Sequence, residues 1–418
     1  MQHGNETGLQ TDRARIDSKG LGSQESVRHC YCGPWRIPQT SGRSQVFQWD
    51  FIPWLTVAAL TNIPDSTLCV TDTAACLTQE GSRYSRTLEK ETLIIANSGA
   101  TLGVAKILGI TCCANDGIAA LINQSTGNRR FICHYLNTQT KHLREVVATG
   151  NGQPNLNTGL IGKILIPFPS LADQRVIVEA LDDVNKLIGT LDGVVAKKRD
   201  LKHAAMQQLL TGKQRLPGFS DEWDVKRLGD IGSFSKGRGL AKGDLSTSGD
   251  LPAVPYTAIY TDHDEIIQIL KIRHFTSRAR DLEVINSPHV LIAGSSNMLE
   301  NIGKATAFLG DTNLAVGGDI VLYRTGADVR FLSYLLSTTP HRRRMVLLSQ
   351  GSTIRHVYAS TFQTYQILLP SLIEQSAIAA VLSDMDAEIA AWERRLAKTR
   401  ALKEGMMQEL LTGKTRLT

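Results

Sequence analysis

Nowhere does this chain run through about 18 consecutive apolar residues, the stretch a membrane-spanning helix needs. Its first 30 residues are polar and lack the apolar core of a secretory signal, so the cytoplasm is the expected compartment. Cysteine is scarce and confined: Cys30, Cys32, Cys69, Cys76, Cys112, Cys113 and Cys133 all lie in the first third, with no C-x-x-C or C-x-x-H spacing. That argues against zinc and for reduced, mostly buried thiols. Catalytic motifs are missing as well. There is no Pro-Pro-aromatic methyltransferase motif and no G-x-S-x-G elbow, and Gly237-Arg238-Gly239 lacks the third glycine of a dinucleotide fingerprint. Gly413-Lys414-Thr415 has Gln408 where a P-loop requires its first glycine. Asp200-Leu201-Lys202 and Asp224-Val225-Lys226 imitate the end of a nuclease site without an acidic partner upstream, and read as surface charges. The chain by itself is therefore expected to be non-catalytic, with no metal and no cofactor of its own.

What is present is a duplication. Residues 171–216 and 372–417 align without a gap at an offset of 201, with twenty of 46 positions identical, where chance would give about three. Each copy follows a proline (Pro169, Pro370) and opens on a capping-box pattern, Ser170 with Asp173 and Ser371 with Glu374. Each closes on Leu-Thr-Gly-Lys, which places Gly212 and Gly413 at a left-handed helix C-cap and Lys213 and Lys414 near the negative end of the dipole. Between the caps, apolar residues alternate in steps of four and three: Ile177, Leu181, Val184, Ile188, Leu191, Val195, and Ile378, Leu382, Met385, Ile389, Trp392, Leu396. This is a heptad seam, and two such helices of about 60 Å could pair as a spacer.

Residues 46–170 and 217–370 have another texture, short β-branched runs broken by Gly, Asn, Asp and Pro, as in mixed α/β modules. Residues 91–122 and 287–324 share a scheme of apolar strand, small-polar loop with Asn (Asn97; Asn297, Asn301), a strand with Lys (Lys106; Lys304) and a further strand, which predicts one fold for both modules. Asn, Arg and Lys on such loops suit base edges and phosphates, and Asn and Gly equally suit tight turns. With 46 Lys and Arg against 40 Asp and Glu, a net charge of +6 permits a polyanionic partner without demanding one. Basic residues recur in clusters: Arg83 and Arg86, Arg129 and Arg130, Lys236 with Arg238 and Lys242, Arg273 with Arg278 and Arg280, and Arg355. With Asn97, Lys106, Asn297, Asn301 and Lys304 these are the candidate DNA-contacting residues. Gln174, Ile177, Leu181 and Leu209, with Gln375, Ile378, Leu382 and Leu410, are the candidate positions for helix pairing and partner docking.

The order module, long helix, module, long helix, with PSLADQ and LLTGKQRLPGFSDEW in the first copy and PSLIEQ and LLTGKTRL in the second, closely resembles the specificity subunits of Type I restriction-modification systems over residues 46–418. The resemblance implies an α+β fold with two target-recognition domains separated by two long antiparallel coiled-coil helices in a pseudo-two-fold repeat. The implied division is an atypical segment 1–45, recognition domain 46–170, helical spacer 171–216, recognition domain 217–370 and helical spacer 371–418. It further implies that each domain reads half of a split double-stranded DNA site. Two adenine-N6 modification subunits and the motor-nuclease restriction subunits would dock on the chain, bringing S-adenosylmethionine, ATP and Mg with them. A scaffold joining two diverged modules without DNA specificity is the alternative. One departure stands out: Trp223, Leu228 and Gly229 open the second module, whereas Trp35 has Thr40 and Ser41 where Leu and Gly would fall.

Overall fold

The computed structural model describes residues 25–26, 30–31, 47–122, 124, 126–149, 154–277 and 281–417. Apart from two short strands, the atypical segment 1–45 lies outside them, as do Arg278 and Arg280. The chain divides into two compact units, Met1–Gly193 with Arg394–Thr418, and Val194–Glu393. Modules and spacers are therefore not separate bodies. Each unit contains one module, the beginning of one long helix and the end of the other.

In the first unit a five-stranded sheet runs in the order Cys30–Tyr31, Ile118–Leu121, Leu93–Ala96, Ala105–Leu108, Cys69–Val70. Its central strands are buried on both faces and apolar but for Lys106. On one face Leu93, Ile95, Ala105, Ile107 and Ala119 pack against Phe131, Ile132 and Leu136 of helix α1 (Arg129–Thr138), Ile177, Val178 and Leu181 of α2 (Leu171–Leu209), and Leu410. On the other face Ile94, Ala96, Leu108 and Ile118 meet Leu55, Leu60 and Cys112, which belong to a second, four-stranded sheet or its flank. The alternation follows the two-residue period of a strand. That second sheet runs Ala75–Leu77, Phe47–Leu55, Cys112–Ala114, Thr87–Leu88, with its middle pair parallel.

The second unit repeats this plan. Its first sheet runs Gly232–Lys236, Ile320–Thr325, His289–Ala293, Ala305–Phe308. Val290, Ile292, Ala305 and Val321 pack on Phe331, Leu332 and Leu335 of α3 (Val329–Ser337), on Met206 and Leu209 of α2, and on Ile378 and Leu382 of α4 (Leu372–Leu410). Leu291, Ala293 and Leu322 face Val254, Ile259, Leu314 and Val316 instead. The second sheet runs Phe275–Thr276, Leu251–Val254, Leu314–Val316, Glu283–Ile285, again with a parallel middle pair. The two modules share one plan, as expected, except that the edge strand Cys69–Val70 of the first unit has no counterpart strand in the second.

Both long helices have 39 residues, and both end where the glycines demand. Gly212 and Gly413 adopt φ of 68° and 74°, the left-handed region that a β-carbon penalises, and they stop the helices there. Within each unit the helix segments run antiparallel, because residues further along one meet residues further back on the other. In the first unit Arg400 bonds Asp192 at 2.9 Å, and in the second Arg199 bonds Glu393. These ion pairs correspond under the offset of 201, so the duplication extends to surface chemistry. The buried seam departs from expectation in both copies: Val184, Met385 and Trp392 are half-buried, and beside Val184 it is Asn185 that takes the interior position. The corresponding residue of the second copy, Asp386, accepts from Lys202 Nζ at 2.6 Å and from Tyr334 Oη at 2.5 Å. Burial opposes the Lys202 charge, but Glu265 at 2.8 Å and Asp386 raise its pKa above the ordinary lysine value.

The helix starts are built around glutamine. Gln174 is fully buried; its Nε2 donates to the Pro169 carbonyl (2.9 Å) and its Oε1 accepts from the Asn128 amide (2.7 Å). Gln375 does the same with the Pro370 carbonyl (2.8 Å) and the Asp328 amide (3.0 Å). Asn128 and Asp328 are the N-caps of α1 and α3, each accepting from the two amides that follow its neighbour. One carboxamide thus joins the start of a long helix to the start of the module helix. The expected capping boxes are only half made. Ser170 Oγ accepts from the Asp173 amide (3.2 Å) and Ser371 Oγ from the Glu374 amide (3.4 Å). The Glu374 carboxylate is buried and bound instead by Arg215 (2.6 and 2.7 Å) and Trp223 Nε1 (3.2 Å), because a guanidinium in bidentate geometry outcompetes a lone backbone amide.

Gln375→Ala leaves a buried amide and a buried carbonyl without partners and should cost about 2 kcal/mol, read as a lowered urea midpoint. Asp328 gives an acid-side prediction. Burial opposes its charge, but Arg330, Ser376 and the Phe331 amide outweigh burial and hold its pKa below the ordinary 3.8. A lowered carboxylate contributes stability above its unfolded pKa that is lost as pH falls through its folded value. Asp328→Asn, which keeps the cap that Asn128 already makes, should flatten the loss of stability measured between pH 5 and pH 2 (about the carboxylate range).

Candidate nucleic-acid interface

Several exposed cations border the second sheet of each unit. In the second unit, the strand Gly232–Lys236 continues past its partner: the Gly237 amide donates to the Ile320 carbonyl (3.0 Å) and the Arg238 amide to Val316 (3.2 Å). The chain then turns at Leu240, whose φ of 62° is strained for a branched residue and is held by burial against Ala253, Ala315 and Leu251. Lys242 follows in a short turn closed by the Asp244 carboxylate on the Ala241 amide (2.8 Å). Arg273 stands just before the edge strand Phe275–Thr276. Lys236, Arg238, Lys242 and Arg273 are thereby all exposed on segments that border one small sheet, and Lys236 is 3.9 Å from Asp319. In the first unit Arg83 and Arg86 are exposed on the segment leading into Thr87–Leu88, the edge strand of the equivalent sheet. Arg278 and Arg280 occupy the same stretch of sequence before Glu283–Ile285, outside the described residues.

Asn297 is exposed in a loop after Ser295–Ser296, a strand pair completed by Arg355–His356. Ser295 Oγ and His356 Nδ1 are 2.8 Å apart, and His356 stacks on Tyr358 with ring centroids at 6.2 Å. Met298, Leu299, Ile354 and Tyr358 are at least half exposed in these loops. Sequence reasoning missed Tyr358 because a single aromatic among polar residues has no period that marks it as surface.

Other candidates are committed elsewhere. Lys106 is 1% exposed and donates to the Pro64 (3.0 Å) and Thr67 (2.6 Å) carbonyls, with its pKa lowered by burial, so its ammonium ties down a loop. Lys304 donates to the His263 carbonyl (2.7 Å), also with a pKa lowered by burial. Asn97 is buried and donates to the Asp116 carbonyl (3.0 Å). Arg130 bonds Asp182 on α2 (2.7 Å), while its neighbour Arg129 is exposed. Asn301 is a half-buried turn residue whose carbonyl accepts from Lys304 (3.2 Å). Arg355 is half-buried and donates to the Ser349 carbonyl (3.0 Å). Gln174, Ile177, Leu181, Leu209, Gln375, Ile378, Leu382 and Leu410 are all buried within their own units. The helices expose several apolar residues, among them Ile373, Val176 and Leu187, and two pairs are related by the offset: Leu171 and Leu402 in the first unit, and the corresponding Leu372 and Leu201 in the second, each 47–57% exposed.

Five described cysteines, Cys69, Cys76, Cys112, Cys113 and Cys133, are free, and burial pushes the Cys112 and Cys133 thiols up to about 12. Among the described residues no group of His, Cys, Asp and Glu is placed to hold a metal ion, and no helix is long and apolar enough to cross a membrane.

A family model of the Type I restriction modification DNA specificity domain matches residues 49–194 and again 220–398. The MjaVIII Type I restriction enzyme specificity subunit of Methanocaldococcus jannaschii is 22% identical over 300 residues, 68% of each chain. A putative MjaX specificity subunit of the same organism is 24% identical over 282 residues, 63% of this chain and 62% of that one. In structure the chain is similar to the Type I system S subunit of M. genitalium, with a TM-score of 0.56 at 12% identity over 95% of this chain and 97% of that one. It is also similar, at TM-score 0.56 and 17% identity over 94% and 98%, to a chain solved in work on assembly and conformational transition of a type I system.

Lys106→Met should lower the thermal midpoint by several degrees as two carbonyls lose their donor. Lys236→Ala and Arg273→Ala, on open surface, should leave it within about a degree.

Proposed function

The chain belongs to the Type I restriction-modification DNA specificity family, and we propose that it acts as the sequence-specific DNA-binding subunit of such a system. Each unit reads one half of a bipartite double-stranded site, and the long helices set the length of the unread gap. The observation that carries this reading is the recurrence, in both units, of one small sheet bordered by exposed cations, Arg83 and Arg86 in the first unit and Lys236, Arg238, Lys242 and Arg273 in the second. Cations on loops beside a rigid sheet suit phosphate contacts that fix register, and Asn297 is of the type that reads base edges. Chemistry is left to partners. Two modification subunits, with S-adenosylmethionine, and restriction subunits, with ATP and Mg, dock on the chain, which has no catalytic part of its own. The exposed leucines at positions related by 201 supply one equivalent docking point per unit, as two copies of a partner require.

Purified chain and a modification subunit, incubated with a randomised DNA library and S-adenosylmethionine, should methylate adenine in a motif of two short halves around a fixed gap. Deleting one heptad from each helix should shorten that gap. Alanine at Lys236, Arg238, Lys242 and Arg273 together should weaken binding and reduce the salt slope by about 0.9 for each phosphate no longer neutralised. Methylation without a split motif, or binding indifferent to salt and sequence, would instead mark a scaffold.

A further inference from the structure

A recess of about 400 Å³ lies in the second unit between the end of α2 and the turn that follows α3. Its floor is the buried pair Met206 and Thr338, the latter donating its hydroxyl to the Leu335 carbonyl at 2.7 Å. His203 and Gln207, one turn apart on α2, share the face of Met206, and Lys213 stands just beyond the left-handed Gly212. Opposite them is Arg343 in the helix Thr339–Leu348, whose first turn, with Pro340, completes the wall. Because the Thr338 hydroxyl is engaged elsewhere, that helix has no side-chain cap, and its positive end adds to the same wall.

Three nitrogen-bearing side chains from three segments thus border a recess in which no lining residue carries a carboxylate. His203, Lys213 and Arg343 are exposed and make no hydrogen bond or ion pair through their side chains among the described residues. Their neighbours are engaged. Lys198, Arg199 and Lys202, earlier on α2, each meet a carboxylate. Arg342 has its Nη1 buried, and Arg344 lies 4.9 Å from the centroid of the Tyr365 ring, so that Arg343 is the one of three consecutive arginines that lines the recess. The first unit is an internal comparison. Met407, Gln408 and Lys414 repeat Met206, Gln207 and Lys213 at the offset of 201, but Glu404 stands where His203 does. A carboxylate at that position repels an anion, so the site belongs to the second unit.

We propose that this recess binds a phosphate ester, with Lys213, Arg343 and His203 donating to its oxygens and its organic part lying on Met206 and Pro340. A free nucleotide and the backbone of duplex DNA both offer that chemistry, and competition between them separates the two sources.

The test is calorimetric titration of the full chain with ATP at low salt, where screening is weak. One site per chain, with Kd on the order of 100 µM, is expected. Binding should weaken at least tenfold for His203→Glu, which imports the residue of the first unit, and for Lys213→Ala combined with Arg343→Ala. These positions are exposed, so the changes leave the fold intact. Lys414→Ala, in the first unit, should bind ATP as before. Displacement of ATP by an oligonucleotide duplex identifies backbone phosphate as the source, and lack of displacement a free nucleotide. No binding, binding indifferent to either change, or an equal loss in Lys414→Ala overturns the proposal. So does binding of polyglutamate as tight as that of ATP, which would make the recess a site for negative charge of any kind.

Discussion

A carboxamide with both ends bonded, buried where proline releases the chain into a long helix, governs the geometry of each unit. Gln375 joins the Pro370 carbonyl to the amide of the α3 cap, and Gln174 does so for α1. Both groups it satisfies are backbone atoms met by a buried side chain, so an apolar residue of similar size there would leave them without this partner. The direction of the long helix relative to its module follows from that single side chain. The apolar clusters then fill the space it defines: Phe331 and Leu335 meet Ile378 and Leu382 in one unit, and Phe131 and Leu136 meet Ile177 and Leu181 in the other.

The parts of this architecture that rest on period and punctuation were legible in the residues. A heptad seam, a proline before it and a left-handed glycine after it leave few alternatives, and the helix starts and stops came out as anticipated, whereas the order of strands in the sheets had no signal in the sequence. The side-chain assignments were less legible, because type does not reveal burial. Lys106 and Lys236 are the same residue to a sequence; one closes a loop from inside and the other is exposed. Glu374 illustrates the same limit, since its position fits a capping box, while Arg215 and Trp223, more than 150 positions away, claim its carboxylate. Asn185 displaced Val184 from the seam because a strict step pattern drifts against 3.6 residues per turn.

The duplication is uneven in its electrostatics. Where the second unit sets Lys202 between Glu265 and Asp386 beneath Tyr334, the first has Lys403, Asn185 and His134 at corresponding places, with Lys403 reaching the Asp65 carbonyl at 3.2 Å. The first arrangement neutralises a buried charge with carboxylates. The second solvates it with a backbone dipole, and burial lowers both the Lys403 and His134 pKa values. The two units have the same backbone plan and balance buried charge differently.

Because the first unit takes Arg394–Thr418 into its core, its order of assembly differs from its order in the chain. A ribosome makes the apolar faces of Ile177, Val178 and Leu181 well before Leu410 and Leu411, which cover them. All of the second unit is synthesised in between. The unit begun first is thus completed only after the other has been made, which leaves its apolar seam without its cover over that interval of synthesis.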